Sequence, residues 1–167
     1  MPQLTLVLGG ARSGKSRHAQ ALIERHAPPW TYIATAQALD DEMHARIAEH
    51  RAQRGPDWTT IEAPLALPRA LHEAATAPAL VDCLTLWLTN LMLAEHDIAA
   101  AVAALERALD ARTAPTVLVA NEVGLGIVPE NALARRFRDE AGRLNQRLAA
   151  RAERVLFMVA GLRIEVK

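Results

Sequence analysis

The chain has 167 residues, 51% of them hydrophobic, which is enough for one full core and too apolar for a disordered polymer. Its 19 Lys and Arg balance 19 Asp and Glu, so it lacks the basic excess of a nucleic-acid binder. A single cysteine, Cys83, excludes an internal disulfide, and no apolar run reaches the roughly 20 residues of a membrane span. With no signal-peptide pattern either, the expectation is one cytoplasmic domain over residues 1–167.

Leu4 to Leu8 is a short apolar strand. It runs into Gly9 to Ser16, GGARSGKS, which fits the phosphate-loop pattern G-x-x-x-x-G-K-[ST]. Ala19, Leu22 and Ile23 follow at helical spacing, so a helix is expected from Ser16 to His26. Strand, loop and helix are the context the pattern needs; a glycine-rich turn that binds nothing would not need it. Gly9, Gly10, Ala11, Arg12, Ser13 and Gly14 are therefore expected to turn backbone N–H groups toward polyphosphate, helped by the positive end of the helix. Lys15 reaches the β- and γ-phosphates, and the Ser16 hydroxyl is a ligand for Mg²⁺.

Thr31 to Ala34 reads as a strand and Asp41 to Gln53 as a helix. On that helix His50 lies seven residues from Met43 and three from Ile47, so all three share a face. A core histidine with one hydrogen bond and a catalytic imidazole fit that spacing equally. Trp58 to Ile61 and Ala79 to Cys83 are the next strands. Asp82 falls at a strand end, where an acid in a phosphate-loop protein holds Mg²⁺; a solvated strand-end Asp is the alternative. Cys83 sits in an apolar run and reads as a buried, inert thiol.

Leu84 to Leu93 is apolar nearly all round and is expected as a buried helix. Asp97 is placed to cap a helix from Ile98 to Arg112. The strand Thr116 to Ala120 ends at Asn121 and Glu122, which opens the stretch NEVGLGIVPEN through Asn131. That stretch is either a shaped loop over a substrate pocket or an ordinary connection. The helix Asn131 to Arg151 carries Leu133, Phe137, Ala141, Leu144 and Leu148 as one apolar stripe. Its Arg135, Arg136 and Arg138 form either a phosphate clamp or a solvated face. Val155 to Val159 is the last strand expected.

Alternating strands and helices predict an α/β fold with a mostly parallel sheet and ligands at the carboxyl ends of its strands. The six histidines show no metal-ligand spacing, and the guanine signature NKxD of signalling GTPases is absent. The residues alone leave open a small-molecule kinase and a nucleotide-binding module without activity.

The motifs together carry a resemblance that the phosphate loop alone does not. GGARSGKSRHAQ (Gly9 to Gln20), YIATAQ (Tyr32 to Gln37), DDEMHARIAEHR (Asp40 to Arg51), DWTTIEAP (Asp57 to Pro64), VDCLTLWLTNL (Val81 to Leu91) and the long block Asn121 to Ala149 resemble the bifunctional adenosylcobinamide kinase / adenosylcobinamide-phosphate guanylyltransferase family of cobalamin biosynthesis. The resemblance implies a three-layer phosphate-loop NTPase fold of RecA-like type and a homotrimer. It implies a corrinoid substrate with ATP or GTP and Mg²⁺, and neither nucleic acid nor membrane as partner. The first reaction would phosphorylate the aminopropanol arm of adenosylcobinamide, and the second would add GMP from GTP and release pyrophosphate. The guanylyl carrier would be the histidine of the RI-x-x-H segment, here His50, on a helix that moves toward the phosphate loop when nucleotide binds. Some relatives have a second histidine before it, where this chain has Glu49. Glu62 and Asp82 match family acids near the nucleotide, and the ending Leu162 to Lys167 departs from the family's apolar, proline-containing one.

Overall fold

A computed structural model describes residues 3–37, 41–52, 54–74 and 76–167, without the side chains of residues 41, 42, 46, 49 and 50. In chain order the elements are β1 (Leu4–Gly9), α1 (Lys15–Ile23), β2 (Trp30–Ala34), α2 (Asp41–Ala52), β3 (Trp58–Glu62), α3 (Leu67–Glu73) and β4 (Ala79–Asp82). Then come α4 (Leu84–Leu93), α5 (Ile98–Asp110), β5 (Thr116–Asn121), α6 (Ala132–Arg151), β6 (Arg154–Val159) and β7 (Leu162–Glu165). One seven-stranded sheet has the order β3-β2-β4-β5-β1-β6-β7, and only the β6–β7 pair is antiparallel. The order inserts β5 between the strand that feeds the phosphate loop and the strand that ends in Asp82.

The central strands are apolar on both faces because both are covered. Leu6, Val81 and Leu118 point into one core with α3, α4, α5 and α6, while Val7, Leu80 and Val119 point into the other with α1. The expected three layers result. Trp87, in the middle of α4, is fully buried and donates its indole N–H to the Leu65 carbonyl at 2.9 Å. Asp97 and Asn131 cap α5 and α6, accepting from the N–H groups of Ala100 and Ala134.

The sequence reading departs from the structure at specific places. α1 ends at Ile23, short of His26, ahead of the Pro28–Pro29 pair. α5 ends at Asp110 because Arg112 turns inward, where its guanidinium donates to the carbonyls of Leu71 and Ala77 and to the Thr116 hydroxyl. The stripe on α6 is buried only from Ala141 onward, and Leu133 is half exposed. Two elements, α3 and β7, carry no periodic signal in the sequence, and β7 is built from the divergent C-terminal residues.

Candidate functional site

The sheet register gathers the candidate residues at the carboxyl ends of the strands. Ala34 pairs with both Glu62 and Asp82, Asp82 pairs with Val119, and Gly9 pairs with Asn121. Between β1 and α1 the chain folds into the loop Gly10 to Gly14. Gly14 sits at φ +87°, a left-handed conformation that glycine alone adopts without strain, immediately before the first turn of α1. A Cβ at Gly9 would fall 2.9 Å from the Met158 carbonyl oxygen, so the loop lies close against β6. The turn between β6 and β7 reinforces it: the Gly161 N–H donates to the Ser13 carbonyl at 3.0 Å.

Lys15 is 9% exposed, and its ammonium donates to the Gly10 carbonyl at 2.8 Å, spanning the loop that phosphates would fill. Ser13 Oγ is buried in the same loop without a partner. Ser16 and Asp82 line one cavity of about 350 Å³, together with Tyr32, Met43, Ile47 and Asn121. This cleft faces a second one of about 420 Å³, whose wall also contains Ser16, Tyr32 and Asp82. A hydroxyl and a carboxylate are hard oxygen donors, which fits Mg²⁺, an ion that keeps most of its water and takes few protein ligands. Among the described residues, no three His, Cys, Asp or Glu gather as a metal cluster.

Asp82 is held by groups that spacing did not reveal. The Tyr32 hydroxyl donates to Asp82 Oδ2 at 3.1 Å. Burial, followed by the Asp82 charge, pushes the Tyr32 phenol well above its usual range, so Tyr32 remains a donor. Thr35, fully buried, donates its hydroxyl to the Cys83 carbonyl at 2.6 Å and accepts the Cys83 N–H at 2.8 Å. Asn90 on α4 donates in turn to the carbonyls of Thr35 and Pro64. The end of β4 is thereby fixed from two sides. Cys83 is buried as expected, and burial raises its thiol above the usual range, which disfavours the reactive thiolate.

The remaining candidates fall into two groups. On α2, Met43, Ile47 and Arg51 face the cavity at intervals of four, and His50 belongs to the same helix. The side chain of His50 lies outside the described residues. Arg51 bonds Glu62 at 2.8 Å, which ties α2 to the end of β3. At the end of β5, the Asn121 N–H donates to the Thr85 hydroxyl, while Asn121 Oδ1 is buried at the cavity without a partner. The Glu122 N–H donates to the Gly9 carbonyl, and its carboxylate accepts from Gly124 N–H. Arg138 donates to the Gly124 carbonyl, and Arg135 to those of Pro129 and Glu130. Arg135 and Arg136 are exposed, as on a solvated face, while Arg138 is partly buried against the loop 122–130.

The family model of cobinamide kinase / cobinamide phosphate guanyltransferase matches residues 5–166. A bifunctional adenosylcobalamin biosynthesis protein of Pseudomonas aeruginosa, CobP, is 52% identical over 166 residues, covering 97% of this chain and 96% of its own. CobU of Salmonella typhimurium, which carries the same bifunctional description, is 50% identical and covers 98% of this chain and 99% of its own. The CobU of Escherichia coli is 44% identical over the same shares. Among solved structures, the RadB recombinase superposes with a TM-score of 0.49 at 16% identity, over 93% of this chain and 73% of that one.

Proposed function

The chain belongs to the cobinamide kinase / cobinamide phosphate guanyltransferase family and is a transferase of that kind, and from this premise we propose that one phosphate loop serves two successive transfers. The observation that carries the reading is the shared cavity: Ser16 and Asp82 meet there with the Met43–Ile47 face of α2, the helix that bears His50. Residues 1–167 would work as one domain.

In the first transfer, ATP or GTP lies with its β- and γ-phosphates in the loop Gly9 to Gly14. Lys15 leaves the Gly10 carbonyl for phosphate oxygens, and the backbone N–H groups of the loop balance the charge spreading over the γ-phosphoryl group. The corrinoid's hydroxyl oxygen attacks the γ-phosphorus in line, the bond from the γ-phosphorus to the β–γ bridging oxygen breaks, the nucleoside diphosphate departs and the hydroxyl proton passes to solvent water. Asn121, with its unpartnered Oδ1 at the cavity, is placed to accept a hydrogen bond from that hydroxyl.

In the second transfer, a neutral His50 imidazole nitrogen attacks the α-phosphorus of GTP. The α–β anhydride breaks, pyrophosphate leaves and a phosphoramidate forms. The phosphate of adenosylcobinamide phosphate then attacks that phosphorus, the P–N bond breaks and His50 returns to its starting state. Ser16 and Asp82 would hold Mg²⁺, which when bound supplies charge neutralisation at the phosphates. Glu62, paired with Arg51, is proposed to set α2 beside the nucleotide.

By family resemblance the assembly is a cytoplasmic homotrimer. Among the described residues no helix is long and apolar enough to cross a membrane.

Incubation with α-labelled GTP tests the function. Label is expected to move onto adenosylcobinamide phosphate with release of unlabelled pyrophosphate. Retention of all label in GTP or GMP would refute the guanylyl transfer.

A further inference from the structure

Asn90 lies in the last turn of α4, one turn beyond Leu86, which lines the cavity with Met43 and Ile47 of α2. It is 9% exposed. Its side-chain amide has two N–H donors, and each goes to a different segment. One donates to the Thr35 carbonyl at 2.8 Å and the other to the Pro64 carbonyl at 3.0 Å. Trp87, three residues earlier on the same helix, donates to the next carbonyl, that of Leu65, at 2.9 Å. α4 thus aims two side-chain donors at the chain that leaves β3, and one of them also reaches the chain that leaves β2.

The two carbonyls bracket the stretch that runs out through α2 and returns as β3. Thr35 is held by every polar group it has. Its N–H donates to the Asp82 carbonyl at 3.3 Å, its hydroxyl bonds the Cys83 N–H and carbonyl, and its own carbonyl takes the Asn90 amide. Pro64 follows Glu62 by two residues, and Glu62 holds Arg51 of α2 at 2.8 Å. Among the described side chains of α2 none is buried, so core packing does not set where this helix stands. Its place depends on its tethers: the chain from Thr35 at one end and the Arg51–Glu62 pair at the other. That pair is exposed, a weak tether on its own, whereas the amide that joins Thr35 to Pro64 is buried.

We propose that Asn90 is a positioning residue for the guanylyl transfer: by joining the Thr35 and Pro64 carbonyls it fixes both tethers of α2, and with them the place of that helix relative to the phosphate loop. This rests on the reading of His50 as the guanylyl carrier. The phosphoryl transfer uses groups on the loop and at the end of β4. Those keep their own support without Asn90, because Thr35 still bonds Cys83 and Tyr32 still bonds Asp82. The two transfers therefore respond unequally to the loss of one buried amide.

Paired single-turnover rates on the full chain are the test, with wild type, Asn90→Leu, the milder Asn90→Ser and His50→Ala in parallel. α-Labelled GTP without corrinoid reads guanylylation of the enzyme, and γ-labelled nucleotide with cobinamide reads phosphorylation of the corrinoid. The ratio of the two rates does not depend on the folded fraction, so a residue that only stabilises the fold leaves it at the wild-type value. A displacement of about 1 Å at a reacting group can cost about 10²-fold, so in Asn90→Leu guanylylation should fall by about 10- to 100-fold more than phosphorylation. Asn90→Ser, which keeps one donor, should show a smaller change in the same direction. The GTP concentration for half-maximal guanylylation should stay near that of wild type, because the phosphate loop is untouched. A wild-type ratio in the Asn90 variants, with the adduct lost in His50→Ala, overturns the role of Asn90 and leaves that of His50 standing. Equal loss of both activities in both variants also overturns it. An adduct that persists in His50→Ala overturns the reading of His50 and this proposal with it.

Discussion

Replacing Lys15 by Ala is expected to slow both transfers by orders of magnitude while leaving the fold in place. In the nucleotide-free protein the ammonium makes one hydrogen bond, to the Gly10 carbonyl at 2.8 Å. Its loss costs about 0.5–1.5 kcal/mol of stability, partly offset because a charge no longer has to be kept largely out of water. In the transition state the same ammonium faces phosphate oxygens in a shielded loop, where a fixed charge of this kind is worth about 3–4 kcal/mol. At about 1.36 kcal/mol per decade, turnover should fall by about 10²- to 10³-fold. The assay is paired. γ-Labelled nucleotide reads the kinase step, α-labelled GTP reads the guanylyl step, and a thermal melt reports the fold. Both rates should fall together, because both reactions use the one loop. A folded Lys15→Ala protein with near-normal turnover in either assay would refute the reasoning.

Asp82→Asn keeps the acceptor for Tyr32 but removes the charge, so it should raise the Mg²⁺ concentration for half-maximal turnover far more than it weakens nucleotide binding; an unchanged Mg²⁺ titration would speak for a purely structural Asp82. Thr35→Val keeps the shape but strips both Thr35 hydrogen bonds from Cys83, leaving its buried N–H unpaired while its carbonyl keeps the Trp87 N–H. It should cost about 1–3 kcal/mol in denaturant unfolding and lower turnover through Asp82, and an unshifted midpoint would contradict this. The Glu106 carboxyl is held below its ordinary value of 4.5, chiefly by the Arg147 hydrogen bonds and against the opposing effect of burial. Its stabilising contribution is therefore complete above pH 4.5 and lost as pH falls through the lowered value. Glu106→Gln should lower the melting temperature at neutral pH and flatten the further fall below pH 4.5, and parallel wild-type and variant curves would refute it.

How much of this was legible in the sequence depended on whether the signal was local. The loop Gly9 to Ser16, the apolar strands and the cap Asp97 are local, and each stands where the pattern placed it. The helix α3 is seven residues long, too short for helical periodicity to register, and Pro68 in its first turn reads as readily as a loop signal. All four residues of β7 are exposed, so no alternation marks it; it forms as an edge strand against β6. The support of Asp82 was also hidden. Thr35 and Asn90 act across separations of 48 and 55 residues, and Tyr32 meets Asp82 only because β2 pairs with β4. Arg135 and Arg138 leave a phosphate clamp and a solvated face open in the sequence, and their donation to the carbonyls of the 122–130 loop depends on a loop path that spacing does not give. Equally, α2 offers Met43 and Ile47 to a cavity rather than to the packed core, which spacing on a helix face does not distinguish.

The most direct measurement is the covalent state of the enzyme after mixing with α-labelled GTP in the absence of corrinoid. Wild type is expected to retain label on the protein as a phosphoramidate, labile in acid and comparatively stable in base, and to pass it on when adenosylcobinamide phosphate is added. His50→Ala should lose the adduct and the guanylyl transfer while still phosphorylating cobinamide, because direct attack by the substrate hydroxyl needs no enzyme nucleophile. A guanylyl adduct on a well-folded His50→Ala protein, or equal loss of both transfers through instability, would contradict the role given to His50.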